Sequence, residues 1–166
     1  MIRSLVASLC LAALPAALFA QQADTSLLTV NRIFGSGEFA PQPFGPARWL
    51  DDGAADTTRE PDADGRGTDI VRYDAEQGTR EVVVAAGQLV PEGDSLPLEI
   101  EDYAWSPGGT MLLVFTNTRP VWRLNTRGDY WVLDRARGQL RQLGGAGAKP
   151  STLMFAKFSP DDRRVG

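Results

Sequence analysis

The sequence predicts an all-β protein, an incomplete β-propeller of about two blades and the start of a third. Three observations predict it. Short segments rich in β-branched and aromatic residues alternate with Gly- and Pro-containing turns. No segment beyond the N-terminus has a long apolar period of 3.6 residues. Two sequence elements recur at intervals of 53 to 60 residues, and four strands in roughly 40–60 residues is the pattern of a propeller blade. A β-sandwich with chance similarity is the alternative.

Residues 1–20 have the features of a cleaved signal peptide and stand apart from the fold. Arg3 gives a positive start, an apolar run follows over 5–14, and Ala20 supplies a small residue for cleavage. The run is short for a membrane span, and Pro15 interrupts it. We therefore expect residues 21–166 to form the partial propeller domain of a periplasmic or secreted protein, with an uncleaved N-terminal anchor as the alternative.

The strand predictions follow the chain in order. Segments of 4–8 residues with β-forming side chains, bounded by turn residues, are expected to be strands. These segments are Leu27–Phe34, Asp69–Tyr73, Arg80–Val84, Met111–Thr116, Tyr130–Leu133 and Leu140–Leu143. Residues 85–89 are expected to form one short helical turn. Residues 51–69 are acidic, rich in Gly and almost free of large apolar side chains, which predicts an exposed mobile loop.

The first repeated element is an aromatic residue followed by a turn. Trp49, Trp105 and Phe158 precede the sequences L-D-D-G, S-P-G-G and S-P-D-D, at spacings of 56 and 53 residues. The chain ends soon after the third copy, at Gly166. Because two blades cannot close a ring and leave open strand edges, we expect the chain to be a fragment of a longer protein.

The second repeated element is a strand that ends in Asp before a Gly turn. Asp74 is followed by Gly78, and Asp134 by Gly138, with 60 residues between the two aspartates. Each unit therefore consists of an aromatic strand, a turn, an apolar strand, a hairpin, a strand ending in Asp, a Gly turn and a last strand.

Composition excludes several classes of function. The chain has no histidine, and its single cysteine, Cys10, lies in the signal segment. A zinc site, a thiol nucleophile and a Ser-His-Asp triad therefore cannot be assembled from residues 21–166, and no metal or other cofactor is expected. The net charge of −4 without a basic cluster argues against nucleic acid as a partner.

An ordered series of motifs resembles the N-terminal region of the dipeptidyl peptidase IV family of serine peptidases. The sharpest piece is Trp122-Arg123 followed by Tyr130 to Asp134, and the series covers essentially all of residues 21–166. The resemblance implies an eight-bladed propeller that gates and binds substrate. It further implies a C-terminal α/β-hydrolase domain, absent from this chain, that releases X-Pro or X-Ala dipeptides from peptide N-termini.

Arg123 is the one site residue that the resemblance assigns here. In the family the arginine of the W-R motif hydrogen-bonds a substrate carbonyl, and a guanidinium offers several fixed donors for that purpose. The alternative is a hairpin arginine paired with a nearby acid such as Asp129. The family's Glu-Glu pair and its G-x-S-x-G nucleophile are not in this sequence, so no catalytic residue is expected in this chain and the chain alone is not expected to be active.

The remaining features receive structural interpretations. We expect Trp122 and Trp131 to lie in the blade core and residues 127–129 (R-G-D) to form a hairpin turn. The expected partners are a peptide substrate and the hydrolase domain of the same protein, with no membrane span after signal removal; a homodimeric parent stays open. The competing interpretation is a non-enzymatic periplasmic propeller that binds a partner protein or serves as a scaffold.

Overall fold

The structure, a computed structural model, describes residues 27–41, 45–50 and 53–166. The predicted signal peptide, residues 1–20, lies outside these residues. The described residues fall into two units, the first containing 27–41 and the second containing 45–50 and 53–166. No helix in the described ranges is long and apolar enough to cross a membrane.

The first unit contains helix α1, Val30–Phe34, where a strand was predicted. The prediction of a strand over 27–34 is wrong because a helix cap outweighs the β propensity of the side chains. Thr29 has extended backbone angles, and its Oγ1 accepts a hydrogen bond of 3.1 Å from the Arg32 amide. The amide of Gly35 closes the other end on the Asn31 carbonyl at 2.8 Å.

The second unit consists of two four-stranded antiparallel sheets. The first contains β1 (Arg48–Trp49), β2 (Ala55–Pro61), β3 (Thr68–Asp74) and β4 (Arg80–Val84), in sequential order. The second contains β5 (Asp102–Trp105), β6 (Met111–Val121), β7 (Leu124–Asp134) and β8 (Gln139–Gln142), also in sequential order. The predicted short turn after β4 is a 3₁₀ helix, Ala86–Leu89. The all-β prediction of four-stranded, blade-like units is confirmed.

The prediction of a mobile loop over 51–69 is wrong. Strand β2 occupies the middle of that range and pairs with β3 over seven positions, and only residues 62–67 form the connecting turn. Ala55, Thr57 and Thr58 are buried although none is a large apolar residue. Tyr103 and Trp105 of the neighbouring sheet cover Thr57, and Thr58, which points to the other face of β2, lies beside Gly45. The low hydrophobicity of β2 therefore did not prevent burial.

The β6–β7 hairpin turns at a different place from the one expected. The two strands pair from Met111↔Asp134 outward to Val121↔Leu124, so the turn is formed by Trp122 and Arg123. The prediction of a turn at 127–129 is wrong, because these residues lie inside β7. Gly128 lets the backbone of β7 pack closely against β6, because a Cβ at this position would collide with the Phe115 ring and the Thr116 carbonyl.

The first repeated element has the same turn geometry at its second and third copies. Ser106 Oγ accepts from the amide five residues later, Met111, at 3.2 Å, and Ser159 Oγ accepts from Arg164 at 3.0 Å. Gly109 and Asp162, at the equivalent position, both have positive φ, 67° and 58°. Phe158 then pairs with Val165, so the predicted start of a third blade is confirmed.

The second repeated element is a turn closed by an aspartate. Asp74 Oδ1 accepts from the amides of Glu76 (3.1 Å) and Gln77 (2.9 Å), which holds the pKa of its carboxyl below the usual range. The Arg137 guanidinium lowers the pKa of the Asp134 carboxyl, and the Arg137 amide, which donates to Asp134 Oδ1 at 3.0 Å, lowers it further. Gly78 and Gly138 complete these turns with φ of 65° and 63°.

The second sheet is buried on both faces. One face packs against the first sheet in a core that includes Ile70, Val84, Leu112, Val114 and Leu133. The opposite face packs against the third sequence repeat. This face of the sheet presents Leu113, Phe115, Tyr130 and Val132, and the residues packed against it are Leu153, Ala156, Phe158 and Val165. Alternation along β6 therefore sends successive side chains into two different cores, as expected for a blade between two neighbours.

Polar contacts join the two sheets beside the shared core. Thr57 Oγ1 of β2 accepts hydrogen bonds of 3.0 Å from the Tyr103 hydroxyl and from Trp105 Nε1. Arg59 donates to the carbonyls of Ile100 and Glu101. These bonds hold the aromatic strand β5 against its neighbour.

Candidate functional site

The outer half of the β6–β7 hairpin, residues 117–127, is named the arm. Strand β5 pairs with β6 only at residues 112–115, and β8 pairs with β7 only at residues 131–134. Within the described ranges, no strand pairs with the outer edges of the arm. The arm is therefore a two-stranded ribbon that extends past the sheet from which it starts.

A buried aspartate fastens the base of the arm. Asp129 Oδ2 accepts 2.7 Å from Asn117 Nδ2 on the facing strand, and Asp129 Oδ1 accepts 2.7 Å from the Ser151 amide. Ser151 Oγ donates to the Asn117 carbonyl at 2.7 Å. Leu153 bridges Gly128 with two backbone bonds of 3.0 and 3.1 Å. The segment after β8 thus holds the arm where it leaves the sheet.

Arg123 lies at the tip of the arm and is exposed. No hydrogen bond or ion pair to its guanidinium is present in the described part of the chain. In particular Asp129, the acid considered as its partner, is engaged with Asn117 and Ser151 instead. The guanidinium donors are therefore directed at solvent and are available to a bound molecule.

Trp122 is not a core residue, so that prediction is wrong for this tryptophan. It has 97% of its surface exposed, beside Leu124 at 70%. Its φ of 63° is unusual for a bulky residue and follows from its place in the two-residue turn. Trp131, by contrast, packs against the core between the two sheets, as predicted.

A cleft of about 320 Å³ lies beside the base of the arm. Its walls come from β1, β5, β6 and β7, including the arm residues Asn125 and Thr126, and from residues 155–157. The residues that give it chemical character are Arg48, Asp102, Tyr103, Asn125, Tyr130 and Lys157. Arg123 is not among the lining residues, so the structure does not bring the predicted contact residue into this cleft.

The cleft is polar at its rim and aromatic at its floor. Arg48 pairs with Asp102 and its guanidinium lies 5.1 Å from the centre of the Tyr103 ring. Phe115 and Tyr130 stack with ring centres 4.7 Å apart. Burial raises the pKa of both Tyr103 and Tyr130. Both phenols therefore stay protonated at neutral pH; the Tyr103 hydroxyl already donates to Thr57 Oγ1, so Tyr130 is the phenol that can donate to a molecule in the cleft.

The described residues contain no group of three His, Cys, Asp or Glu side chains that could hold a metal ion. The arrangement offers cations, phenol hydroxyls and apolar surface. These groups recognise a carbonyl, a carboxylate or an aromatic ring.

Sequence reasoning did not find the cleft or the role of Asp129. The cleft combines residues from 48 to 157, and no local spacing links them. For Asp129 a signal was available, because an acid beside a close-packed Gly inside a strand pattern suggests a structural role. A turn was predicted there instead, because Arg127-Gly128-Asp129 has the composition of a hairpin turn.

Residues 106–166 match the family described as "Dipeptidyl peptidase IV (DPP IV) N-terminal region". The match includes Arg123 and the whole arm, and it confirms the recognised resemblance over this stretch. No curated protein sequence matches the chain. Among solved structures, TolB from Acinetobacter baumannii is similar over 72% of this chain, with 17% identity and a TM-score of 0.42. The chain spans 25% of the length of that structure.

Proposed function

We propose that this chain is the N-terminal propeller part of an exported serine dipeptidyl peptidase that removes X-Pro or X-Ala dipeptides from peptide N-termini. In this proposal the propeller admits and holds the peptide. Catalysis belongs to an α/β-hydrolase domain of the same protein. The export part of the proposal rests on the signal-like composition of residues 1–20.

The observation that carries the proposal is Arg123 at the tip of the arm. It lies in the stretch that matches the dipeptidyl peptidase IV N-terminal region, and it occupies a turn that extends beyond the sheet. A free guanidinium at the end of a fastened ribbon can reach across a cavity to a substrate carbonyl, and it keeps its charge at every physiological pH.

The test is Arg123→Ala in the full-length protein, assayed with a dipeptide-releasing chromogenic substrate. A hydrogen bond to a charged group contributes about 1.5–3 kcal/mol, so kcat/KM should fall about 10- to 100-fold. Arg141→Ala is the matched control, because Arg141 is also exposed but lies on β8, and it should leave kcat/KM unchanged. Equal kinetics for wild type and Arg123→Ala would remove the assignment.

The non-enzymatic alternative is separated from the peptidase by the coding sequence downstream of Gly166. A G-x-S-x-G motif followed by Asp and His supports the peptidase. A stop codon after a few further blades, with no such motif, contradicts it.

A further inference from the structure

Two arginines lie directly opposite each other on the arm. Arg119 of β6 is the cross-strand partner of Arg127 of β7. Like charges at directly opposed positions destabilise a strand pair, and both side chains are exposed. No hydrogen bond or ion pair to either guanidinium is present within the described residues. The ribbon therefore holds a repulsive pair that its own fold does not neutralise.

The arm as a whole is basic in an acidic protein. Its eleven residues include three arginines, at 119, 123 and 127, and no Asp or Glu, whereas the full chain has a net charge of −4. Elsewhere on the second unit some arginines meet acids, as Arg80 does with Glu60 at 2.8 Å and Arg137 with Asp134 at 2.6 Å. The arm differs in that its arginines share a short ribbon that has no acid of its own, whereas the exposed Arg141, Arg163 and Arg164 line a cleft that also contains Asp162.

The backbone of the arm offers a second kind of recognition. Its outer edges lack a paired strand in the described part of the chain, and an unpaired edge binds an extended segment through main-chain hydrogen bonds. Cross-strand partners share a face of the ribbon, so Arg119 and Arg127 lie on one face. On β6, register shifts flank Arg119 and Pro120 has no N–H to donate, so the β7 side of the arm is the edge that a strand would join, and such a strand would present every second side chain on one face.

We propose that the arm is a docking surface for an extended acidic peptide, which adds to an edge of the ribbon and places alternate carboxylates against Arg119 and Arg127. Trp122 and Leu124, both exposed at the tip, would cover an apolar side chain of the same peptide. The edge favours a peptide over an anionic membrane surface, because a lipid headgroup layer has no main-chain groups to complete it. This docking goes beyond the proposed peptidase function and involves no catalysis.

The test is direct binding of a fluorescent peptide that alternates Glu and Val to the whole chain, at low and high salt. We expect binding that weakens with salt, and Arg119→Gln/Arg127→Gln should weaken it roughly ten-fold, since the change removes two exposed ion pairs with the peptide. Arg141→Gln/Arg163→Gln is the matched control: it makes the same change in net charge at two exposed positions off the arm and should leave affinity unchanged. Circular dichroism checks that each variant is folded.

Three results would overturn the proposal. The first is no binding of the acidic peptide by the wild-type chain. The second is equal affinity for the wild type and the Arg119/Arg127 variant. The third is Arg119- and Arg127-dependent binding to phosphatidylglycerol vesicles without binding of the peptide, which would assign the arm to membranes. A peptide with the same charges but Pro at alternate Val positions should bind more weakly, and equal binding would contradict strand addition. None of these measurements depends on peptidase activity, so their failure is separate from that of the proposed function.

Discussion

At the scale of single residues, hydrogen-bond partners decide what a buried hydroxyl contributes. Thr57 and Thr58 are neighbours on β2 and are 1% and 2% exposed. Thr57 Oγ1 is the shared acceptor for Tyr103 and Trp105, whereas Thr58 Oγ1 has no hydrogen-bond partner among the described residues. The Thr57 hydroxyl therefore stabilises the fold through its two hydrogen bonds, whereas the buried Thr58 hydroxyl destabilises it because it is unsatisfied.

Thr57→Val should lower the free energy of unfolding by about 1–3 kcal/mol, because it leaves two donors of the adjacent sheet without an acceptor. Urea unfolding followed by tryptophan fluorescence measures this. Thr58→Val is the matched control and should be neutral or slightly stabilising, since it removes an unsatisfied polar group. A similar loss in both variants would show that the bonds to Thr57 are not what matters.

At the scale of elements, turn chemistry explains why the two sheets, which differ in sequence, have the same order of strands and turns. Each strand that ends in Asp is closed by carboxylate-to-amide bonds and a left-handed Gly four residues later. The sequence pattern predicted these turns, because their bonds are local. The arm was missed because its turn uses Trp122 and Arg123, which carry no turn signal, while Gly128 carries a misleading one.

Gly138→Ala should destabilise the chain by about 1–2 kcal/mol. Nothing lies within 4 Å of a Cβ at this position, so the effect comes from its φ of 63° alone. Gly87→Ala is the control: its surroundings are equally open, and its φ lies outside the left-handed region, so it should be neutral or slightly stabilising. Thermal melting compares them. Equal melting temperatures for Gly138→Ala and wild type would contradict the strained-turn explanation.

At the scale of the whole second unit, the two sheets depend on one core. Leu133 of β7 is fully buried and packs in the same cluster as Ile70 of β3 and Val84 of β4. The opposite face of the second sheet packs against the third sequence repeat. A blade in this position contributes to two interfaces at once, which predicts that the sheets unfold together.

Leu133→Ala should lower the free energy of unfolding by about 2–5 kcal/mol. Amide hydrogen exchange should show loss of protection in β3 as well as in β7, because both contact the same core. Leu124→Ala, at the exposed arm tip, is the control and should leave protection unchanged. Loss confined to the second sheet would contradict a shared core.

The amino-acid sequence by itself determined the all-β class, the two repeated turn elements, most strands of the second unit and the identity of Arg123 as the residue to examine. These follow from local propensity, from turn bonds between residues a few positions apart, and from a motif that is contiguous in sequence. Only the tertiary structure decided that β2 is a strand, that Trp122 is exposed, and that Arg119 opposes Arg127. Burial and strand register depend on what the neighbouring strand supplies, and the neighbour of a residue across a sheet is not written in its local sequence.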